Sequence, residues 1–177
     1  LDVKDALGIN GIITFYERVN QETLAIIELE GTPEGGEHPT HIHTNSAIQG
    51  GGILITLEPV DGTSGMSRSN ISTSDPGDLI TYADLLDIDG YVNVHLSSSD
   101  LGTIIAQGDI GQNAFTGRSI EYTLSGVDIA GVSGSATFEE RVNGETLISI
   151  QLEGSTFAGD HPMHVHQGST SSPGSIY

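Results

Sequence analysis

The chain has 177 residues, and its 24 acidic side chains against 5 basic ones give a formal net charge of −19. We expect no nucleic-acid partner, because nucleic acids are bound by basic surfaces, and no docking on an anionic membrane. Cysteine is absent, which excludes disulfides and thiolate metal sites. No apolar run approaches the ~20 residues of a membrane-spanning helix, so no membrane insertion is expected.

Short strands joined by turns are predicted along the first two thirds of the chain. The 24 glycines and frequent Ser, Thr, Asn and Asp clusters separate β-rich segments. The spacing of these segments favours an all-β fold, an antiparallel Greek-key sandwich or barrel. A single helical turn is expected at Thr81–Leu86, capped by Asp or Thr. The strands are expected, in chain order, at 11–19, 22–31, 39–44, 52–58, 90–97, 103–110 and 118–124.

A block of 30 residues occurs twice. Residues 14–43 and 137–166 align without a gap at an offset of 123, with 18 identities. The offset predicts a first domain at residues 1–124 and the N-terminal part of a second at residues 125–177. The second copy has no counterpart of residues 55–112, and a half-domain would expose open strand edges. We therefore expect either a piece of a longer repeat protein or strand exchange between chains, which would give a homodimer.

The second copy assigns the faces of one repeated strand. In residues 145–154, polar residues alternate with Ile148, Ile150 and Leu152, so these three are expected to face the core. The aligned residues of the first copy are expected to face the core as well: Ala25, Ile27 and Leu29.

Six of the seven histidines belong to the repeated block. His41 and His43 are two residues apart on a predicted strand, so both side chains leave the same face. In the strand at 90–97, the valines form the apolar face and His95 lies on the polar one. If these strands are neighbours, the three histidines converge on one ion, and His38, beside Pro39, offers a fourth nitrogen. The second copy adds three further candidate ligands, which need a partner strand from outside that copy: His161, His164 and His166.

Imidazole ligands without sulfur suit Cu(II), Zn(II) or Ni(II). Copper is expected first, because it binds most tightly in the general affinity order, and zinc is the alternative. The repetition of H-P-x-H-[IV]-H at fixed register, beside positions that have changed, favours a metal site over solvated surface histidines.

These motifs resemble the CHRD family, the domain first described in chordin. His41-Ile42-His43 is followed by a Gly-rich turn and the strand GGGILITLEPV, and GYVNVH at 90–95 is followed by a strand ending AQGDI at 106–110. The resemblance covers about residues 11–112, and residues 134–177 as the front of a second copy. It implies an extracytoplasmic β-domain (periplasmic, secreted or cell-surface) with His41, His43 and His95 at family-like positions. The strand at 103–110 lacks the Glu and Arg typical of the family.

A binding role is predicted, namely metal handling, storage or sensing. An enzyme is less expected, because no general acid, base or nucleophile accompanies the histidines. One alternative is a structural or adhesive repeat module without metal. The other is an enzyme like the copper/zinc superoxide dismutases, since HPMHVH at 161–166 is similar to their H-x-F-H-V-H ligand strand. That likeness does not extend to a cysteine pair or a long zinc loop.

Overall fold

The computed structural model describes residues 2–3, 8–154 and 159–177. Within these ranges the strands form antiparallel sheets and there is one short helix, which confirms the predicted all-β class. In chain order the elements are β1 (Asp2–Val3), β2 (Asn10–Glu17), β3 (Thr23–Glu30), β4 (Glu37–Thr44), β5 (Ile53–Asp61), β6 (Met66–Ile71), α1 (Tyr82–Asp87), β7 (Asp89–Ser97), β8 (Asp100–Gly111), β9 (Phe115–Ser125), β10 (Ser133–Arg141), β11 (Thr146–Glu153), β12 (His166–Ser169) and β13 (Ser172–Ile176).

Eight strands form the main sheet, in the order β1-β8-β7-β4-β5-β6-β3-β2. Strands β4, β5 and β6 follow one another as hairpins, and β7 returns by a longer connection to lie beside β4. The spatial order β7-β4-β5-β6 is that of a Greek key, as expected. Strands β9, β10 and β11 form a second sheet with β10 in the middle, and β12 pairs with β13.

The chain forms two compact units, one of Leu1–Ile120 with Phe138–Ile148 and the other of Glu121–Thr137 with Ser149–Tyr177. The main sheet and the tip of the β10–β11 hairpin thus belong to one unit. The division expected from the sequence, at residues 124 and 125, stays a prediction. No helix in the described part of the chain is long and apolar enough to span a membrane.

The core of the main sheet follows from the alternation of its strands. Ala25, Ile27 and Leu29 on β3 are buried, as predicted. The same apolar cluster contains fully buried residues from β4, β7 and β8: Ile42, Val92, Val94 and Ile105.

The matching prediction for the second copy is wrong at two positions. Ile148 and Leu152 on β11 are 41% and 40% exposed. The reason lies in the neighbours of each strand. Strand β3 lies between β2 and β6 and packs on the core of the main sheet, whereas β11 is an edge strand of the three-stranded sheet.

Two strands of the main sheet were not predicted, the two-residue β1 and the longer β6. Strand β6 has the sequence MSRSNI, in which serines take the inward positions that apolar residues usually mark. Ser67 Oγ donates a hydrogen bond to the Glu58 carbonyl (2.6 Å), and Ser69 Oγ accepts one from the Glu58 amide (2.8 Å). Because hydrogen bonds satisfy the two buried hydroxyls, the strand needs no apolar stripe.

The expected helical turn is present as α1. Thr81 is its N-cap, and the Thr81 hydroxyl accepts a hydrogen bond from the Asp84 amide while the Asp84 carboxylate accepts from the Thr81 amide. This reciprocal pair is a capping box, which satisfies two amide groups at the start of the helix.

Equivalent positions of the repeated block adopt the same turn. In the β2–β3 turn, the Arg18 amide donates to the Glu22 carbonyl at 2.9 Å, and in the β10–β11 turn the Arg141 amide donates to Glu145 at 2.9 Å. Gln21 and Gly144, also 123 residues apart, both have positive φ, of 70° and 83°. The two turns therefore present the same backbone to their surroundings.

Replacing Ile42 by Ala is expected to lower the free energy of unfolding by about 2–5 kcal/mol, because Ile42 is 0% exposed and the change leaves a cavity. Urea unfolding measures the effect. The same replacement at Ile48, which is 73% exposed, is the matched control and should cost less than about 0.5 kcal/mol. Equal losses would show that Ile42 does not lie in the core.

Candidate metal centre

Strand pairing brings the histidines of β4 to the strand that carries His95. Strands β4 and β7 are antiparallel neighbours, with Thr40 opposite Val94, Ile42 opposite Val92 and His43 opposite Tyr91. Because side chains alternate along a strand, Ile42 and the valines enter the core, and His41 and His43 leave on the other face.

Three histidines meet on this second face. His41, His43 and His95, here called the histidine cluster, are 9%, 8% and 6% exposed. Each offers one ring nitrogen, and these three atoms all lie within 4.8 Å of one another. The closest measured pair is His41 Nδ1 and His95 Nε2, at 3.1 Å. Such a set could hold a metal ion, and it is the only group of three His, Asp or Glu side chains with this proximity in the described ranges.

Backbone carbonyls fix the orientation of two rings. His95 Nδ1 lies 2.7 Å from the Leu101 carbonyl, and His43 Nδ1 lies 3.1 Å from the Gly51 carbonyl. A carbonyl only accepts, so Nδ1 is the protonated nitrogen in both rings and Nε2 keeps its lone pair. Histidine ligands of metals are typically held in this way through the nitrogen that does not bind the metal.

One nitrogen of the cluster is buried without a partner. His43 Nε2 is shielded from water, and it has no hydrogen-bond partner among the described residues. Leaving a buried acceptor unsatisfied costs about 1–3 kcal/mol, so native structures normally avoid it. A cation placed among the three rings would satisfy this lone pair.

Gly51 and Tyr91 position the His43 ring. The Tyr91 ring stacks on the His43 ring, with centroids 4.8 Å apart and planes 17° from parallel. The Tyr91 hydroxyl accepts a hydrogen bond from the Gly51 amide at 3.1 Å, so one glycine binds both side chains through its two backbone groups. A Cβ at Gly51 would overlap the carbonyl oxygen of Thr44, so glycine is required there.

Burial favours the neutral forms of His41 and His95. It lowers the pKa of His41 below the usual imidazole value, with smaller contributions from the neighbouring rings of His95 and His43 and an opposing one from Asp75. Burial also lowers the pKa of His95, against the hydrogen bond to the Leu101 carbonyl. Neutral imidazole is the form that binds metals.

The spacing of the three nitrogens is close to that of a metal site. At a metal–nitrogen distance of about 2.0–2.1 Å, two ligand nitrogens can be at most about 4.2 Å apart. The 3.1 Å pair satisfies this limit, and all three nitrogens lie within 4.8 Å of one another. The set therefore needs at most a small movement of one ring to hold an ion.

His38 lies outside the histidine cluster. It is 1% exposed, and its Nδ1 lies 2.8 Å from the Leu96 carbonyl and 3.2 Å from that of His95. Its Nε2 lies 3.4 Å from the Pro33 carbonyl. The imidazole thus links β4 to β7, and the idea of a fourth metal-binding nitrogen gains no support from its contacts. Strand β4 is irregular between His38 and Thr40, so simple alternation from His41 does not fix the face of this ring.

The histidines of the second copy form an exposed pair. The rings of His164 and His166 are 6.1 Å apart at 84°, close to the 5.8 Å and 87° of His41 and His43. His166 Nδ1 lies 3.1 Å from the Gly174 carbonyl, as His43 does from that of Gly51. His161 is exposed as well and belongs to no three-residue cluster among the described residues.

Sequence reasoning missed the groups that orient the cluster. The carbonyls of Gly51 and Leu101 belong to the backbone, so no residue type marks them. Tyr91 lies two positions before Asn93 and four before His95, so strand alternation places it on the same face as His95, and the register then puts it opposite His43.

Comparison of the chain with protein-family models, with curated proteins and with solved structures found no match. The resemblance to the CHRD family therefore stays a prediction that rests on the motifs.

The metal-free protein is expected to lose stability as the pH falls below about 6.5, the unfolded value of histidine. His41 and His95 have lowered pKa values in the folded state. Above about 6.5 both states are neutral and the full stability is present. Below it the unfolded chain binds protons that the folded chain does not, so the free energy of unfolding decreases.

Urea unfolding at several pH values between about 8 and 5 measures this dependence. His95→Gln should have a shallower slope than the wild type, because one proton uptake on unfolding is removed. Identical slopes would contradict the assignment of a buried neutral imidazole to His95.

Proposed function

We propose that this protein is an extracytoplasmic, CHRD-type β-domain that binds copper through His41, His43 and His95, and that it handles, stores or senses the metal. The single observation that carries the proposal is the buried, unpartnered His43 Nε2 inside a cluster of three imidazoles. The extracytoplasmic location rests on the family resemblance, and fractionation of the source cells tests it.

The arrangement of the rings supports metal binding over solvated histidines. All three rings are more than nine-tenths buried. The Nδ1–H groups of His43 and His95 each donate a hydrogen bond to a backbone carbonyl. Restricting the rings in advance lowers the entropy lost when an ion is bound. The formal charge of −19 adds a negative field, which raises the concentration of cations near the surface.

Copper is favoured by the ligand chemistry. Three nitrogen donors without sulfur suit Cu(II), and Cu(II) exceeds zinc in the general order of affinities. Zinc is the alternative, since it accepts three imidazoles and a water. The contacts around the rings come from groups that position them, which supports binding over turnover.

Asp75 contributes charge near the site. Its carboxylate accepts hydrogen bonds from the Thr56 amide at 2.8 Å and the Thr56 hydroxyl at 2.7 Å. These bonds are the main reason why the pKa of Asp75 is lowered, so the group stays anionic over a wide pH range. A fixed negative charge beside His41 favours a bound cation.

The repeated block supports a tandem architecture. The Arg18 and Arg141 turns share their hydrogen bonds, and the His166–Gly174 contact repeats that of His43 with Gly51. The second pair of histidines would then be half of a site, completed by the equivalent of β7 from elsewhere. Strand exchange within a homodimer is one source of that strand.

Titration with Cu(II) by calorimetry tests the site. The wild type is expected to bind one ion with high affinity. His41→Ala, His43→Ala and His95→Ala should each weaken binding at least about tenfold, because each removes one of three ligands. Removing only the hydrogen-bond partner of a metal ligand typically lowers metal affinity about ten- to hundredfold, so loss of the ligand itself should cost at least as much.

The double variant His164→Ala/His166→Ala is the matched control, because it removes the equivalent exposed pair. It should leave the high-affinity event unchanged. Wild-type binding by all three cluster variants would overturn the proposal, and loss of binding in the control alone would move the site to the second copy.

Competition between metals tests the identity of the ion. Protein loaded with one equivalent of Zn(II) should release it when one equivalent of Cu(II) is added, as followed with a zinc-responsive dye. Retention of zinc would support the alternative metal and contradict copper.

A structural module without metal is the second candidate, and one contact favours it. His41 Nδ1 and His95 Nε2 are 3.1 Å apart, so they can share a hydrogen bond in the metal-free state. The two nitrogens then satisfy each other, and within the cluster His43 Nε2 is the only buried ring nitrogen that lacks a partner among the described residues. Absence of any high-affinity event in the wild-type titration would select this function.

A further inference from the structure

A buried ion pair within one compact unit holds the tip of the β10–β11 hairpin in place. Arg141 Nη2 donates to Asp109 Oδ2 at 2.7 Å, and the two side chains are only 3% and 5% exposed. The Arg141 guanidinium also lies over the Phe115 ring, 5.6 Å from its centroid. Asp109 accepts a further hydrogen bond from the Ala47 amide at 2.7 Å, so its carboxylate is fixed in place.

The backbone beside Arg141 is bound as well. The Val142 amide donates to the Ala114 carbonyl and the Asn143 amide to the Gln112 carbonyl, each at 3.0 Å. The Asn143 side chain reaches the side-chain oxygen of Asn113 at 3.4 Å. Asp109 and residues 112–115 thus form one surface, here called the acceptor surface, which receives the turn at residues 140–145, the second turn.

The first copy carries the same turn with its side chains exposed. Residues 17–20 read ERVN, as do residues 140–143, and the β2–β3 turn at residues 17–22, the first turn, has the same backbone hydrogen bonds as the second. Arg18 and Asn20 are exposed, and Val19 is 107% exposed. In the described part of the chain Arg18 has no salt bridge.

We propose that the first turn is a docking surface for a second copy of this chain, which would receive it on its acceptor surface. Arg18 would pair with Asp109 of that copy, and the amides of Val19 and Asn20 would bind its carbonyls at 114 and 112. The fit follows from identity, because the acceptor surface already holds a turn with the same four residues and the same backbone. This inference does not depend on a metal.

The contact joins two different surfaces, so it is head-to-tail and can continue along a row of copies. Within one chain the acceptor surface is occupied by the second turn, whose local concentration is high because it is covalently attached. A second copy can bind only where that turn is displaced. The second turn therefore keeps the isolated chain from associating through this surface.

Sedimentation equilibrium of the full chain tests the proposal. Arg141→Ala vacates the ion-pair position and should associate with a constant at least about tenfold above that of the double variant R18A/R141A, because removing one partner of a close charge pair weakens binding by this much or more. A second double variant, D109A/R141A, lacks the carboxylate and should match R18A/R141A. The wild type should associate no more strongly than R18A/R141A at the concentrations where R141A associates, because its second turn occupies the acceptor surface.

Equal association of R141A and R18A/R141A would overturn the proposal, because it would show that Arg18 makes no contribution. A monomeric R141A would overturn it too. Circular dichroism checks that each variant is folded. If R141A is not folded, R141K takes its place, since lysine keeps the charge but lacks the planar guanidinium that donates to Asp109 Oδ2 and lies over Phe115, and the same ranking is expected.

Discussion

The pairing of β4 with β7 is the constraint on which both the core and the histidine cluster depend. One register places Ile42 opposite Val92 inside the core and leaves His41 and His43 on the other face, where His95 joins them. A slip by one residue would exchange the faces of the whole strand, so apolar burial fixes the position of the histidines. Burial of apolar side chains on one face selects the register, and the same register brings the histidine cluster together on the opposite face.

The sequence was sufficient to predict which faces of the strands carry the three histidines. It did not reveal which strands are neighbours or which backbone groups orient the rings. Two-residue periodicity was enough to place His41 and His43 on one face and His95 on the polar face of another strand. It could not show that these strands are neighbours, because that follows from the Greek-key connection. Nor could it identify the ring nitrogen that is left unpartnered, since the Gly51 and Leu101 carbonyls decide it and every residue carries a carbonyl.

Identity of sequence did not ensure identity of surroundings. Leu29 is buried in the core, while Leu152, its counterpart, is 40% exposed on an edge strand. The arginines differ in the opposite sense, since Arg141 is buried against Asp109 and Arg18 is exposed. In each case the packing partner differs. Strand β6 also depends on its partners, since hydrogen bonds to the Glu58 backbone satisfy the serine hydroxyls at its inward positions.

An anomalous difference map of copper-loaded crystals would show whether one ion binds between the three nitrogens of the histidine cluster. Data collected at the copper absorption edge locate the ion without reference to the protein. We expect one strong peak about 2 Å from His41 Nδ1, His43 Nε2 and His95 Nε2, a distance typical of metal–imidazole bonds. A peak at the exposed His164–His166 pair alone, or none in the cluster, would contradict it.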